Sequence, residues 1–533
     1  MKEISRPKLI IIVSLFLILF CNINFFQHVL EVYPLNIKNS WHILSLSVLF
    51  TCINIILLAL VCFKHTTKPI MITILITSSI AAYFMDTYHI FIDDSMIDNV
   101  VKTDIPEALG LMSFRLVLYF FLLGIIPSVL VYKINIIEFS LKKSIISRII
   151  LIGLSVILVV SNIFLFGNFY ASFFREHKPL RFYTNPAYYL YSSGIYIRNF
   201  FESAPISFQE IGLDAKISHS DPHKELVILV IGETARADHF SLNGYNKKTN
   251  PLLEKKDVIS FKNTWSCGTS TATSVPCMFS IYGHSQNRDN KISTTENVLD
   301  ILQRAGVNVI WLDNNSNSRG VAKRIPHINY KTPDNNPVCD IECRDEGMLV
   351  NLQTYIDEHS QGDIFIILHQ MGNHGPEYFK RYPPQFEKFT PVCKTNQLEQ
   401  CTRDEINNAY DNAILYTDYF LSKAIDLLKK NDTQYETSLF YISDHGESLG
   451  ENGLYLHGLP YMLAPDAQKH VPMIMWFGDG FNNKEENNIN TLKNKINNYY
   501  SHDNIFHTIL GLMEVKTTVY DKTKDIIDHT YDE

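Results

Sequence analysis

The first third of this 533-residue chain carries five separate apolar runs, about Leu9 to Phe26, Trp41 to Phe63, Ile70 to Phe91, Met112 to Tyr132 and Ile149 to Tyr170. Crossing ~30 Å of hydrocarbon as a helix takes ~20 apolar residues, and only a helix or a closed barrel satisfies its own backbone there. Each run meets that length, so five membrane spans are expected. The short connections place Lys2, Arg6 and Lys8, then Lys64 and Lys68, then Lys133, Lys142, Lys143 and Arg148 on one side, against only Lys38 and Lys102 on the other. By the positive-inside rule the N-terminus is cytoplasmic. An odd number of spans then puts everything beyond Tyr170 outside, which behind an outer membrane is the periplasm. The first run exceeds the ~7–15 apolar residues of a signal peptide and no small-x-small cleavage site follows it.

Cysteine placement bears on this topology independently, because disulfides persist in oxidising compartments. Cys21, Cys52 and Cys62 lie inside predicted spans, whereas Cys267, Cys277, Cys339, Cys343, Cys393 and Cys401 form close sequential pairs in the external part. Six cysteines allow fifteen connectivities. Proximity favours Cys267 with Cys277, Cys339 with Cys343 and Cys393 with Cys401; a zinc site is the rival reading of Cys339 and Cys343. The formal charge of −8 argues against a nucleic-acid partner, which would call for a basic face.

Three regions follow: a span domain over 1–170, an aromatic linker over 171–215 and an external domain over 216–533. The linker holds Phe182, Tyr183, Tyr188, Tyr189, Tyr191, Tyr196, Phe200 and Phe201. Rings with an apolar body and a wet tip suit the membrane–water boundary, with packing against the soluble domain as the alternative. Beyond it, "ELVILVIGE", "VNVIWLDN", "DIFIILHQMG", "TSLFYISDHG" and "VPMIMWFGD" are short, nearly unbroken apolar runs, the pattern of strands buried on both faces. Amphipathic stretches such as Glu405 to Lys429 fit crossover helices, so the expected architecture is an α/β domain with a mostly parallel sheet.

In such sheets ligands bind beyond the carboxyl ends of the strands. The runs close on Glu233, on Asp313, Asn314 and Asn315, on His369 with His374 beyond, and on Asp444 and His445. Asn and Asp at a strand end are often only turn formers, but acids and imidazoles closing four of five runs are harder to dismiss. Glu233, Asp444 and His445 are ligands zinc accepts, and a catalytic zinc keeps one position open. In "SCGTSTATSVPC", Ser266 to Cys277, a hydroxyl could fill it and become an available alkoxide near neutral pH. The apolar residues that follow read as a helix start, favourable to an anionic oxygen. Spacing leaves Thr269, Ser270, Thr271, Thr273 and Ser274 all open as nucleophile.

"IGETARADHFSLNGY", "CGTSTATSVPCMFS", "LHQMGNHGPEYFKRYPPQFEKFTP" and "YISDHGESLGENGLYLHGLPY", in that order, resemble the lipid A phosphoethanolamine transferases, including the mobile colistin-resistance type, within the alkaline phosphatase and sulfatase-like superfamily. That resemblance implies Thr271 as nucleophile and Glu233, Thr271, Asp444 and His445 as zinc ligands. It implies His374 and His457, with His369 nearby, as residues for the phosphoethanolamine group or a second zinc. It also implies Asn315 and Arg319 on the substrate side, Arg319 standing where some members have Lys, and Asn99, Thr103 and Glu107 near the ethanolamine head.

The expected activity is therefore transfer of phosphoethanolamine from phosphatidylethanolamine to lipid A, by a monomer of the inner membrane, with polymyxin resistance as the outcome. Two rivals stand beside it. One is a same-fold phosphoethanolamine or glycerophosphate transferase with another acceptor; the other is an inactive membrane sensor or structural protein, which should have lost a zinc ligand. A sulfatase would need a Cys or Ser followed by Pro and Arg at fixed spacing, which "GTSTATSVP" lacks.

Overall fold

The computed structural model describes residues 3–102, 105–176, 178–202, 207–217, 223–284, 291–484 and 486–527. The chain divides into two compact units, one of 1–101 with 112–202, the other of 102–111 with 203–533.

The first unit is helical. Four helices are long and apolar enough to cross a membrane, Ile37–Val61, Thr67–Tyr88, Phe114–Lys133 and Leu141–Leu165, and a fifth span is available if the bent pair Arg6–Phe20 and Ile23–Val32 counts as one. The first expected span is thus broken by a 56° bend. Its cause is polar: the Asn22 amide donates to the carbonyls of Leu17 and Asn185, and Asp86 accepts from the Asn24 N–H, where the second helix starts. The last span begins at Leu141, earlier than the apolar run suggests, because Lys142, Lys143 and Arg148 continue the helix. Several rings of the aromatic segment pack within this unit: Tyr183 donates to the His89 carbonyl and Tyr189 shares hydrogen bonds with Thr77 and Ser78. Tyr191 and Phe201 remain exposed.

The second unit is built on an eight-stranded sheet of β1 (Glu225–Gly232), β2 (Ile259–Trp265), β3 (Asn308–Asp313), β4 (His327–Asn329), β5 (Ile364–His369), β6 (Glu436–Ser443), β7 (His470–Phe477) and β8 (Tyr500–Ser501), in the order β8-β2-β7-β6-β1-β5-β3-β4. β6, β1, β5, β3 and β4 are mutually parallel, whereas β7 runs antiparallel between β6 and β2. All five runs read from the sequence are strands. β2 escaped that reading because it alternates buried and open residues, as a strand nearer an edge does.

The sheet is covered on both faces. Val227, Leu229 and Ile231 of β1 point into one core with Val275, Met278 and Phe506. Leu226, Ile228 and Val230 point into the other, against Ile414, Leu421 and Ile425 of the helix Arg403–Asn431. That helix starts on a reciprocal cap between Thr402 and Glu405, which satisfies two otherwise unpaired donors. Disulfides join Cys267 to Cys277, Cys339 to Cys343 and Cys393 to Cys401, and Cys21, Cys52 and Cys62 are free.

Residues 207–215, expected as linker, are built into this unit together with 216–217. Gln209 exchanges backbone hydrogen bonds with Thr294 and Glu296, and Lys216–Ile217 pairs with Val515–Lys516.

Candidate active site

The strands β6, β1, β5 and β3 are adjacent and parallel, so their carboxyl ends open on one edge of the sheet. That edge carries Asp444, Glu233, His369 and Asp313. β7 runs the other way, which explains why the fifth run delivers no group here.

Glu233, Asp444 and His445 are completely buried, and one ligand atom from each lies within 4.8 Å of the others. His445 Nδ1 lies 2.9 Å from the Gly446 carbonyl. A carbonyl only accepts, so Nδ1 carries the proton and Nε2 presents a lone pair. That Nε2 is 3.5 Å from Glu233 Oε1 and 3.3 Å from Asp444 Oδ2, and neither oxygen has a hydrogen-bond partner among the described residues. Three electron-rich atoms thus converge in a buried site, the two oxygens without a donor among the described residues. The arrangement suits a divalent cation and little else.

Electrostatics point the same way. Burial works to raise Glu233, but the neighbouring imidazoles of His445, His374 and His457 outweigh it and hold the carboxyl below its usual range. Burial and the Glu233 charge push Asp444 well above the usual carboxylate range. Two carboxylates this close resist ionising together, and a cation between them removes the conflict.

Thr271 opens the helix Thr271–Met278. Its hydroxyl donates to Glu233 Oε2 at 3.1 Å and lies 3.4 Å from His445 Nε2. Among the five hydroxyls left open by spacing, it is the one placed against this cluster. Thr269 is turned to the Leu459 carbonyl, and Ser270 to Thr273. The Thr271 loop is fastened at several points: the Cys267–Cys277 bridge, Ser266 N–H to the Lys469 carbonyl, and Gly458 N–H to the Thr269 carbonyl.

Asn315 joins the cluster, its amide donating to Glu233 Oε2 at 2.6 Å and to the Gln370 carbonyl at 2.7 Å. The His457 ring lies tilted against His445 with centroids 4.3 Å apart, and His374 meets His457 edge-on at 6.0 Å. Burial works against a charge on His457, yet Glu447, whose Oε1 is 3.1 Å from Nδ1, lifts it to about 9. His369 faces Asp313 Oδ2 at 3.3 Å, and with the opposing effect of burial overcome, its imidazole holds Asp313 well below the usual range. Arg319, at φ 49°, donates to Ser316 of its own loop. Asn99 lies on the helix Asp94–Lys102 and belongs to the first unit, while Thr103 and the side chain of Glu107 fall outside the described residues.

Sequence reading missed Glu447, buried beneath His457, and Asp345, which accepts from Met371 N–H, Gly372 N–H and the Asn314 amide. Glu447 follows Asp444 by three residues, a signal the motif contained. Asp345 has no signal, since only the fold brings it to the turn after β5.

Comparison with known proteins agrees with this geometry. Residues 225–515 match the sulfatase family, and 50–200 match the family described as phosphoethanolamine transferase EptA/EptB. The chain is 42% identical over 516 residues to the phosphatidylethanolamine transferase Mcr-2 of Escherichia coli, covering 95% of this chain and 94% of that protein. The integral membrane lipooligosaccharide phosphoethanolamine transferase A of Neisseria meningitidis superposes with a TM-score of 0.94 at 34% identity over 99% of both chains. The separately crystallised soluble domain of that Neisseria transferase matches at 41% identity and a TM-score of 0.58, covering 61% of this chain and 98% of its own.

Proposed function

The chain belongs to the phosphoethanolamine transferase family, and we propose that it moves phosphoethanolamine from phosphatidylethanolamine to a phosphate of lipid A through Thr271. The observation that carries this is the convergence of Glu233 Oε1, Asp444 Oδ2 and His445 Nε2 beside the Thr271 hydroxyl, at the start of a helix. The chain is an enzyme of the transferase class with a membrane unit and an α/β unit of alkaline phosphatase-like type.

Glu233, Asp444, His445 and Thr271 would hold zinc. Bound there, zinc supplies a Lewis acid that favours the alkoxide of the threonine and offsets negative charge. The remaining work belongs to the chain. Thr271 Oγ1 forms a bond to phosphorus as the bond from phosphorus to the diacylglycerol oxygen breaks, leaving phosphoethanolamine on the threonine. Its hydroxyl proton points at Glu233 Oε2, and Asn315 fixes that oxygen from the other side. In the second half, a lipid A phosphate oxygen displaces the threonine, and positioning and charge stabilisation are the main demands. His374 and His457 edge the cluster, where they would meet the phosphoethanolamine group or a second zinc. Arg319, Asn99, Thr103 and Glu107 are proposed for substrate contact, Arg319 toward a phosphate.

In this reading the enzyme is an inner-membrane protein with its N-terminus cytoplasmic and its α/β unit periplasmic, an orientation that the Lys and Arg distribution and the three disulfides of that unit support. Adding an ethanolammonium cation to an anionic headgroup weakens its pull on cationic peptides, so polymyxin resistance is the expected phenotype. Mass spectrometry of lipid A from cells with and without the protein tests the reading. A phosphoethanolamine increment that depends on Thr271 supports it; unchanged lipid A overturns it.

A further inference from the structure

His502 lies far in sequence from every motif above, and its ring is completely buried. It follows the edge strand β8, which pairs with β2 through Tyr500 and Ser501. Its Nδ1 accepts a hydrogen bond from the Cys267 backbone N–H at 3.0 Å, and its Nε2 lies 3.0 Å from the Ser443 carbonyl. An N–H can only donate and a carbonyl can only accept. The ring is therefore one fixed tautomer, with a lone pair at Nδ1 and a proton at Nε2.

The two groups it joins belong to opposite halves of the site. Cys267 begins the loop that ends at Thr271, and Ser443 is the last residue of β6, directly before Asp444. Among the described residues no sheet pairing joins β6 to that loop, because β7 lies between β6 and β2, the strand that leads into the loop. One rigid ring spans this gap. We infer that His502 is a positioning residue for transfer: an imidazole strut that sets the separation between the nucleophile's loop and the strand end bearing Asp444 and His445. The inference rests on Thr271 being the nucleophile.

The strut is tied from several sides. The Cys267 carbonyl, the other backbone group of the same residue, accepts from His284 Nδ1 at 2.6 Å, and His284 N–H donates to Asp503, the neighbour of His502. The Ser443 hydroxyl accepts from Ala235 N–H and donates to the His445 carbonyl, so the far end of the strut is itself anchored to the turn that holds Glu233. A displacement there moves the hydroxyl relative to the phosphorus it attacks. Misplacement of a reacting group by ~1 Å can cost roughly 100-fold in rate while leaving substrate binding intact.

Three replacements grade the strut. His502→Gln keeps one acceptor and one donor at similar reach. His502→Asn is shorter and can serve Cys267 but not Ser443. His502→Phe keeps a ring and serves neither. Full-length variants in phosphatidylethanolamine-containing liposomes would be assayed for kcat, KM and, by peptide mass spectrometry in a single turnover, the rate of phosphoethanolamine addition to Thr271. Each rate is scaled to folded protein carrying the Cys267–Cys277 bridge. The expected order of kcat is wild type, Gln, Asn, Phe, with about 100-fold lost at Phe, KM within about twofold throughout, and the rate of Thr271 loading falling in parallel. If Phe does not fold, the Gln and Asn variants still decide, since the strut requires Gln to exceed Asn. Equal loading rates across folded variants would overturn the inference. Wild-type protein that modifies lipid without ever loading Thr271 would instead overturn the nucleophile assignment.

Discussion

At the scale of single residues, neighbouring hydroxyls of one loop separate cleanly by what they touch. Thr271 donates to Glu233 Oε2, while the Thr273 hydroxyl accepts from Ser270 and its side chain remains partly open. Thr271→Ala should abolish transfer with the protein still folded, and Thr273→Ala should stay within about twofold of wild type, both read from lipid A mass. Asn315→Asp sets a carboxylate where a donor now faces Glu233 Oε2 at 2.6 Å. A third acid in one buried cluster is repulsive unless a cation lies among them, so purified Asn315→Asp should retain zinc by elemental analysis yet lose activity at least 100-fold, because the donor that fixes Glu233 Oε2 is gone. His502 predicts a pH effect with a definite sign. Burial, with a smaller push from His284, lowers its imidazole to about 3 against 6.5 for the free group, although the Ser443 carbonyl raises it somewhat. The unfolded chain therefore takes up a proton that the folded one refuses. Stability from this group is complete above 6.5 and falls with acid toward 3, at about 1.4 kcal/mol per pH unit. His502→Gln cannot titrate, so its melting temperature should fall less steeply between pH 6 and 4 than that of wild type.

Elements show what a sequence can and cannot announce. β1, β3, β5 and β6 were legible because a strand buried on both faces has to be apolar along its length, and the polar residue that ends each one stands out. Strand direction was not legible, since β7 has the same composition and runs antiparallel. The break in the first span was written only as Asn22 and Asn24 inside an apolar run, and what makes it a bend is Asp86 and Asn185, distant in the chain. Glu233 and His445 were readable at strand ends, whereas His502 was not: one histidine on an edge turn carries no pattern, and its two partners arise from the fold alone. The turn after β5 gives a test at this scale. Gly372 has φ of +51°, and a Cβ there would sit 2.9 Å from the Glu233 carbonyl oxygen and 3.0 Å from its nitrogen. Gly372→Ala must push the end of β1, at a cost of about 1–3 kcal/mol for overpacking. Activity per folded molecule should drop as well, because the residue displaced is Glu233; activity lost only in proportion to folded protein would refute that coupling.

For the whole molecule, both proposed substrates are lipids with headgroups at the bilayer surface, while the candidate active site belongs entirely to the α/β unit. That unit has its own two-faced core and three disulfides, and the matching Neisseria soluble domain exists as a separate crystal structure. A fragment of the α/β unit should therefore fold alone, and the structure says where to cut. Starting at Lys216 would discard Gln209, whose backbone pairs with Thr294 and Glu296, and Ile211 with Gly212, whose carbonyls accept from Arg304. Starting near Ser203 keeps them, so the longer fragment should melt higher than one cut at Lys216. Both keep Thr271 and the ligands, so both should bind zinc and turn over a short soluble phosphoethanolamine ester. Neither should modify lipid A in vesicles at more than about a hundredth of the full-length rate, because effective concentration at the bilayer is lost with the membrane unit. If the Ser203 fragment matched full-length protein on lipid A, the spans would be only an anchor, and the substrate roles proposed for Asn99, Thr103 and Glu107 would fall with that result.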